Sequence, residues 1–207
     1  DRIAARWNSL LLENPAAAIS AGCLEFDGRS ALIYWNNEGE LCALDGESGD
    51  EFLALTDLAD SDTVLGPQYL SSRELAVLSN PGGGTAIHLD LLRLQWNTAE
   101  ATLEFATRQY AINGPANAAE IYDFGMVRHE KGFGGYIAGP SPLNMLFSTR
   151  EAGLVTSEPL PVSILSLSPD GTLAQIQTES AGDALARVDW LTLRLHTPEP
   201  METLGHE

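Results

Sequence analysis

ALIYWNNEGELCALDGESGDEFLAL, Ala31 to Leu55, reads as strand, tight turn, strand, acidic turn, strand. Ser30 to Trp35 is an apolar, aromatic run of the kind that packs on a pleated surface. Asn36-Asn37-Glu38-Gly39 supplies residues that tolerate positive φ, and Glu40 to Leu44 resumes the extended pattern. Asp45-Gly46-Glu47-Ser48-Gly49-Asp50 is a second turn, with glycines and side chains that bond their own backbone. Short apolar runs reversing this often predict antiparallel strands.

The same period of two continues along the chain. Leu24 and Phe26 end a strand before Asp27-Gly28, and Arg73 to Leu78 forms another before the turn Ser79-Asn80-Pro81-Gly82-Gly83-Gly84. In Thr85 to Leu94, Ile87, Leu89 and Leu91 share one face while His88 and Asp90 take the other. Ala101 to Ala111 alternates, Ile121 to Val127 is extended, and Leu191, Leu193 and Leu195 alternate with Thr192, Arg194 and His196. One domain over 1–207 is expected, with hairpin-rich units near 17–56, 69–111, 119–156 and 162–196. Spacing of about 45 residues is that of four-stranded propeller blades, which bury their faces only by stacking. The expected fold is all-β: a β-propeller-like stack of about four antiparallel blades, closed or an arc of a larger ring. A β-sandwich is the alternative. Ahead of it, Ile3, Trp7, Leu10 and Leu11 recur at helical spacing until Asn14-Pro15, predicting a short helix over 1–15 that packs on the domain or a partner.

Two motifs sharpen this expectation. Leu41-Cys42-Ala43-Leu44-Asp45, then Ser48-Gly49, resembles the A-L-D-x-x-[ST]-G signature of quinoprotein-type β-propeller repeats. Ser166-Leu167-Ser168-Pro169-Asp170-Gly171-Thr172-Leu173 resembles the S-P-D-G hairpin turn of WD40-like and TolB-like blades. The resemblance implies a blade architecture. Quinone enzymes of that family need about eight blades, a bound calcium and residues from many blades; this chain has at most half of that and no adjacent cysteine pair. Only the blade turn carries over, and no cofactor is expected.

Charge narrows the partners. Eleven basic against 29 acidic residues leave a net charge of −18, with Lys131 the only lysine. Such a surface repels nucleic-acid phosphates and anionic lipid, so neither is expected as a partner. No apolar run reaches the length that spans a bilayer. The first residue is Asp1 rather than Met, which fits a processed mature form or a segment of a longer protein, and an extracytoplasmic compartment, periplasmic or secreted, is the expectation. Cys23 and Cys42 fit a disulfide between neighbouring strands or two buried thiols.

Chemical motifs are sparse. There is no G-x-S-x-G elbow, no P-loop and no H-E-x-x-H. His88 and Asp90 are the weak catalytic candidates, since a carboxylate two steps along a strand can orient an imidazole; a solvated strand face accounts for the same pattern. Asp45, Glu47 and Asp50, with Asp27, are weak calcium candidates through hard oxygen ligands, and Asp57, Asp60 and Asp62 read as an exposed loop. The glycine-rich stretch Gly125 to Arg150 concentrates basic and aromatic residues. Arg128, His129, Lys131, Phe133 and Tyr136 are the candidate partner or ligand loop, unless the glycines merely pack strands closely. The expected function is a non-catalytic protein-interaction or scaffold module. A small-molecule binder or a hydrolase or lyase with its site near His88, Asp90 and 128–136 is the alternative.

Overall fold

The computed structural model describes residues 22–36, 40–55, 61–81, 86–113, 120–130, 132–140, 142–150, 153–178 and 182–196. Every regular element among them is a β-strand. The first sheet holds β1 (Gly22–Phe26), β2 (Arg29–Trp35), β3 (Leu41–Asp45) and β4 (Glu51–Leu55); the second holds β5 (Ser61–Ser71), β6 (Glu74–Pro81), β7 (Ala86–Asn97) and β8 (Thr102–Asn113). The third holds β9 (Asp123–His129), β10 (Gly132–Ala138), β11 (Met145–Arg150) and β12 (Gly153–Thr156). The fourth holds β13 (Ser163–Leu167), β14 (Leu173–Thr178), β15 (Gly182–Asp189) and β16 (Arg194–His196). Each sheet is an up-and-down antiparallel meander in which every strand pairs with the next in sequence. The strands therefore occupy four sheets, where a sandwich has two.

Turn chemistry explains the tight connections. Asp27 and Gly28, at φ 49° and 79°, make the two-residue turn that joins β1 to β2, the conformation favoured by an Asp-Gly pair. Between β13 and β14, Asp170 accepts from the Thr172 amide while Gly171 takes φ 69°.

Three cores join the sheets in series. Leu24, Ile33 and Leu41 of the first sheet meet Leu75, Leu92 and Leu94 of the second. On the other face of the second sheet, Leu78, Ile87 and Leu89 meet Phe124, Ile137 and Phe147 of the third. Tyr136 and Leu146 then carry the third sheet onto Ile164, Ile176 and Val188 of the fourth. Alternation along a strand makes this possible, because successive side chains leave opposite faces and each interior strand serves two cores. Among the described residues no core joins the fourth sheet to the first. The far face of the first sheet buries Tyr34, Cys42 and Leu44, whereas that end of the fourth sheet leaves Leu165, Leu173 and Leu185 exposed.

Several expectations change. Asp62 lies in β5 rather than in a loop, because pairing with β6 overrides the weak strand preference of Ser61-Asp62-Thr63 and of the cis Gly66-Pro67 step. Leu191 and Leu193 belong to a turn instead of a long strand. The Asp189 carboxylate accepts from the amides of Leu191 and Thr192, and Leu193 adopts φ 54°, so only Arg194–His196 remains extended. No disulfide joins the two cysteines; Cys23 is exposed and Cys42 is buried. Cys23 pairs with Leu32 and Cys42 with Tyr34, so β2 lies between them and they are two strands apart, about 10 Å, beyond disulfide reach. The helix expected over 1–15, the Gly82-Gly83-Gly84 turn and the candidate Lys131 lie outside the described residues.

Candidate functional site

All connections from an odd-numbered strand to the next even one lie at the same end of the sheets. Every described arginine occupies that half of the molecule. Arg29 opens β2, Arg73 sits in the β5–β6 turn, Arg128 and Arg150 close β9 and β11, and Arg194 opens β16. Arg93 is level with Glu74 at the start of β6, Arg108 is level with Leu91, and Arg187 is level with Leu173 at the start of β14. In a chain with net charge −18, cationic side chains are thus gathered at one end.

Strand parity then divides the glycine-rich loop. Phe124 and Met126 face the second sheet, and so does Arg128, two residues further along β9. Phe133 pairs in register with Arg128 on the same side, with the guanidinium 5.0 Å from the ring centroid. His129 has the opposite parity and stacks on Trp190 of the fourth sheet, centroids 5.4 Å apart and planes within 6°. Tyr136 is buried at the far end of the third-to-fourth core, where its hydroxyl donates to Asp123 at 2.7 Å. Burial first and the Asp123 carboxylate second push its phenol well above the usual range. Arg128, Phe133, His129 and Tyr136 thus serve two different layers, so they do not converge as a single loop surface.

The cleft between the second and third sheets encloses about 450 Å³. Its floor is apolar and aromatic, with Leu70, Leu91, Tyr110 and Phe133, and its rim carries Arg93, Arg108 and Arg150. Among the described residues Glu74 is the only carboxylate of this lining. It receives Arg93 at 3.9 Å and a hydrogen bond from Arg128, together with one from the Ser71 hydroxyl at 3.0 Å. Arg108 lies over Tyr110, 5.0 Å from its centroid. Gly132 lets the third sheet close behind the cleft: at φ +144°, a Cβ there would meet the Thr149 hydroxyl at 2.7 Å. Thr149 accepts from the Phe133 amide at 2.9 Å and so holds the strand that presents the ring.

A second, wider cleft of about 1130 Å³ lies between the third and fourth sheets. His129, Ser148, Arg150, Arg187 and Trp190 line it, and Arg150 borders both clefts. His129 Nε2 lies 3.1 Å from the Ser148 hydroxyl. Ser148 is only 1% exposed, so its hydroxyl orients the imidazole and is poorly placed to attack a substrate. Within the fourth sheet Trp190 donates to the Gly171 carbonyl at 2.8 Å, while its stacking on His129 and the hydrogen bond from Arg150 to the Leu191 carbonyl at 2.7 Å tie that sheet to the third.

No family model, curated protein or solved structure matches this chain.

The other candidates lie elsewhere. Asp90 is 2% exposed, so a solvated face does not describe it. It faces the first sheet with Leu92 and Leu94, accepts from Gln109 at 3.0 Å, and feels the charge of neighbouring His88. Desolvation raises its carboxyl above the usual range, while Gln109 and then His88 partly oppose the shift. Of the turn carboxylates that are calcium candidates, those of Asp45 and Glu47 are already engaged. Asp45 accepts from the Glu47 amide at 2.7 Å, and Arg29 lies 4.0 Å from Asp45 and 3.5 Å from Glu47, placing a cation of the chain itself where a metal would sit. Asp50 bonds through its amide to Ser48, and Asp27 forms its own tight turn. Among the described residues no group of three or more His, Cys, Asp or Glu is placed to hold a metal. Nor is any described helix long and apolar enough to cross a membrane.

Sequence reading passed over Arg93, Arg108, Glu74 and Trp190. The signal for Arg108 was present: the alternation of Thr102 to Asn113 sets Arg108 on the face of Tyr110, opposite the face of Leu103 and Phe105.

Proposed function

We propose that this chain is a non-catalytic, propeller-like interaction module, a subunit or domain of a larger assembly, that meets a protein partner through its arginine-bearing end. Four up-and-down meanders stacked in series support the propeller-like reading. The observation that carries the functional reading is the gathering of every described arginine at one end of the sheets, with Arg93, Arg108 and Arg150 on the rim of an apolar-floored cleft, in a strongly acidic chain. Arginine and aromatic side chains set in a partly desolvated pocket are the groups that dominate protein interfaces. The dispersal of the other candidates argues against a shared active site, since His88 and Asp90 face the first sheet while His129 faces the fourth.

Native mass spectrometry on material from the natural source tests this reading, with amide exchange measured on the same complex. The expected result is a heteromeric complex in which exchange slows around Arg93, Arg108 and Phe133. A chain isolated alone and carrying a small-molecule mass would overturn it in favour of ligand binding, and protection confined to the fourth sheet would refute the assigned surface.

A further inference from the structure

We infer that the free edge of β8 is a strand-addition site for an extended acidic segment of a partner protein, which docks beside Arg108 with its apolar side chains over the neighbouring cleft. This rests on the interaction-module reading and names the surface and chemistry it would use.

Three features of β8 lead there. It is the last strand of its sheet, paired with β7 on one side only, so among the described residues one row of its backbone N–H and C=O groups has no ladder partner. At 12 residues it also far outruns the corresponding edge strands of the flanking sheets, β4 with five and β12 with four. Neither flanking edge can cover its full length. Ala106, Thr107, Arg108 and Gln109 are all exposed, in the middle of this edge.

Two of the usual protections of an edge, a bulge and a proline, are missing there. Pairing of β7 with β8 runs without a bulge from Ala86↔Asn113 to Asn97↔Thr102, and β8 contains no proline. A straight, unbroken edge of this kind is the template that strand addition uses.

Side-chain alternation supplies the specificity. In an added strand, the residue opposite Arg108 projects to the same side as Arg108, and so do the residues two steps away. Among the described residues of the cleft Glu74 is the one carboxylate and is engaged by Arg93 and Arg128, so a carboxylate opposite Arg108 meets a guanidinium that Glu74 does not pair. An apolar side chain opposite Tyr110 faces the floor that Tyr110 and Phe133 form. The overall charge of −18 does not forbid an acidic ligand here. At physiological salt, charges more than about 8 Å away are largely screened, so the nearby arginines govern the edge. The acidic remainder of the surface discourages the same segment from binding elsewhere.

The test uses the full chain and a short fluorescein-labelled peptide whose odd positions alternate aspartate with valine and whose even positions are all threonine, so that both side chains fall on the side of Arg108 and Tyr110, read by fluorescence anisotropy. Three further peptides accompany it: one with lysine in place of aspartate, one with serine in place of valine, and one with N-methylated backbone amides. The expected result is saturable binding of the valine–aspartate peptide, about tenfold weaker binding to Arg108→Ala, and loss of binding for the methylated peptide. Amide exchange should slow at residues 106–109 on binding. Equal binding of the methylated peptide would overturn strand addition, and equal or tighter binding of the lysine peptide would overturn the acidic preference. Equal binding of the serine peptide would remove the cleft floor from the site. Arg108 is exposed, so Arg108→Ala is expected to fold; an unchanged affinity in a folded variant refutes its role. No binding by any peptide, with a partner complex still present in native mass spectrometry, would reject this edge while leaving the module reading intact.

Discussion

Replacing Gly135 with alanine probes how closely the third sheet is assembled. Gly135 lies on β10 between Gly125 and Met126 of β9 and Phe147 of β11, on the face turned to the second sheet. A Cβ built on it falls well inside contact distance of the Gly125 carbonyl oxygen, 2.5 Å from Phe147 Cζ and 3.0 Å from Met126 Cγ. Phe147 is fully buried and cannot swing away into solvent. Relief therefore requires β9 and β10 to separate locally, loosening a ladder hydrogen bond worth about 1 kcal/mol, and a repacking of the ring at about 1–3 kcal/mol. The expected cost is about 3 kcal/mol, which for a chain of this size lowers Tm by roughly 6–12 °C. Urea unfolding of Gly135→Ala, Phe147→Leu and the double variant gives the decisive reading. Phe147→Leu withdraws the ring atom that the new methyl strikes, so the pair should be less destabilised than the sum of the singles, by about 1 kcal/mol. Additive losses, or a Gly135→Ala protein as stable as the parent, would refute the close approach of β9, β10 and β11.

Asp90→Asn keeps an acceptor for Gln109 but removes a buried charge. The folded state raises this carboxyl, so it binds its proton more tightly than the unfolded chain; Asp90 therefore costs stability once pH rises above its folded pKa and nothing well below its unfolded one. The variant should have a higher Tm than the parent at pH 7 and the same Tm near pH 3, by scanning calorimetry; a lower Tm at pH 7 would contradict the desolvation argument. Glu74→Gln removes the carboxylate shared by Arg93 and Arg128, both more than half exposed, so the loss should be only about 1 kcal/mol in urea unfolding. A loss above about 3 kcal/mol would mean that the pairs are desolvated far more than their exposure implies. A maleimide reagent should label one thiol per native chain, at Cys23, and two after denaturation. Burial, with Glu25 adding to it, raises the Cys23 thiol, so labelling should accelerate as pH climbs past the ordinary thiol range. Rapid labelling of Cys42 in the native protein would be inconsistent with its complete burial.

The all-β, four-sheet character was legible because it rests on local signals: two-residue alternation, Asp27-Gly28 and Asp170-Gly171 turns, and apolar runs short enough to be strands. Misread stretches failed for identifiable reasons. Ser61-Asp62-Thr63 has no strand signature of its own and is extended because β6 offers a partner. Leu191-Thr192-Leu193 alternates well, yet Asp189 captures its first amides and turns the chain. The site was less legible, since adjacent residues with similar chemistry part company when they lie on a strand. Arg128 and His129 are neighbours in sequence and face different sheets, whereas Arg108 and Phe133 come together only through the packing of two sheets. No composition argument separates the first pair or unites the second.

Serial packing also gives the molecule a direction of weakness. An interior sheet must break two cores to leave, whereas among the described residues the fourth sheet is held by one core, the stacking of Trp190 on His129 and the Arg150 bridge, with leucines open on its outer side. In a nearly one-dimensional array, where neighbours supply the coupling, opening propagates from the less supported end. The fourth sheet is then a foldon of its own, with amide protection rising from β16 inward toward β10. The wide cleft beside it lies along the seam at which the array first comes apart.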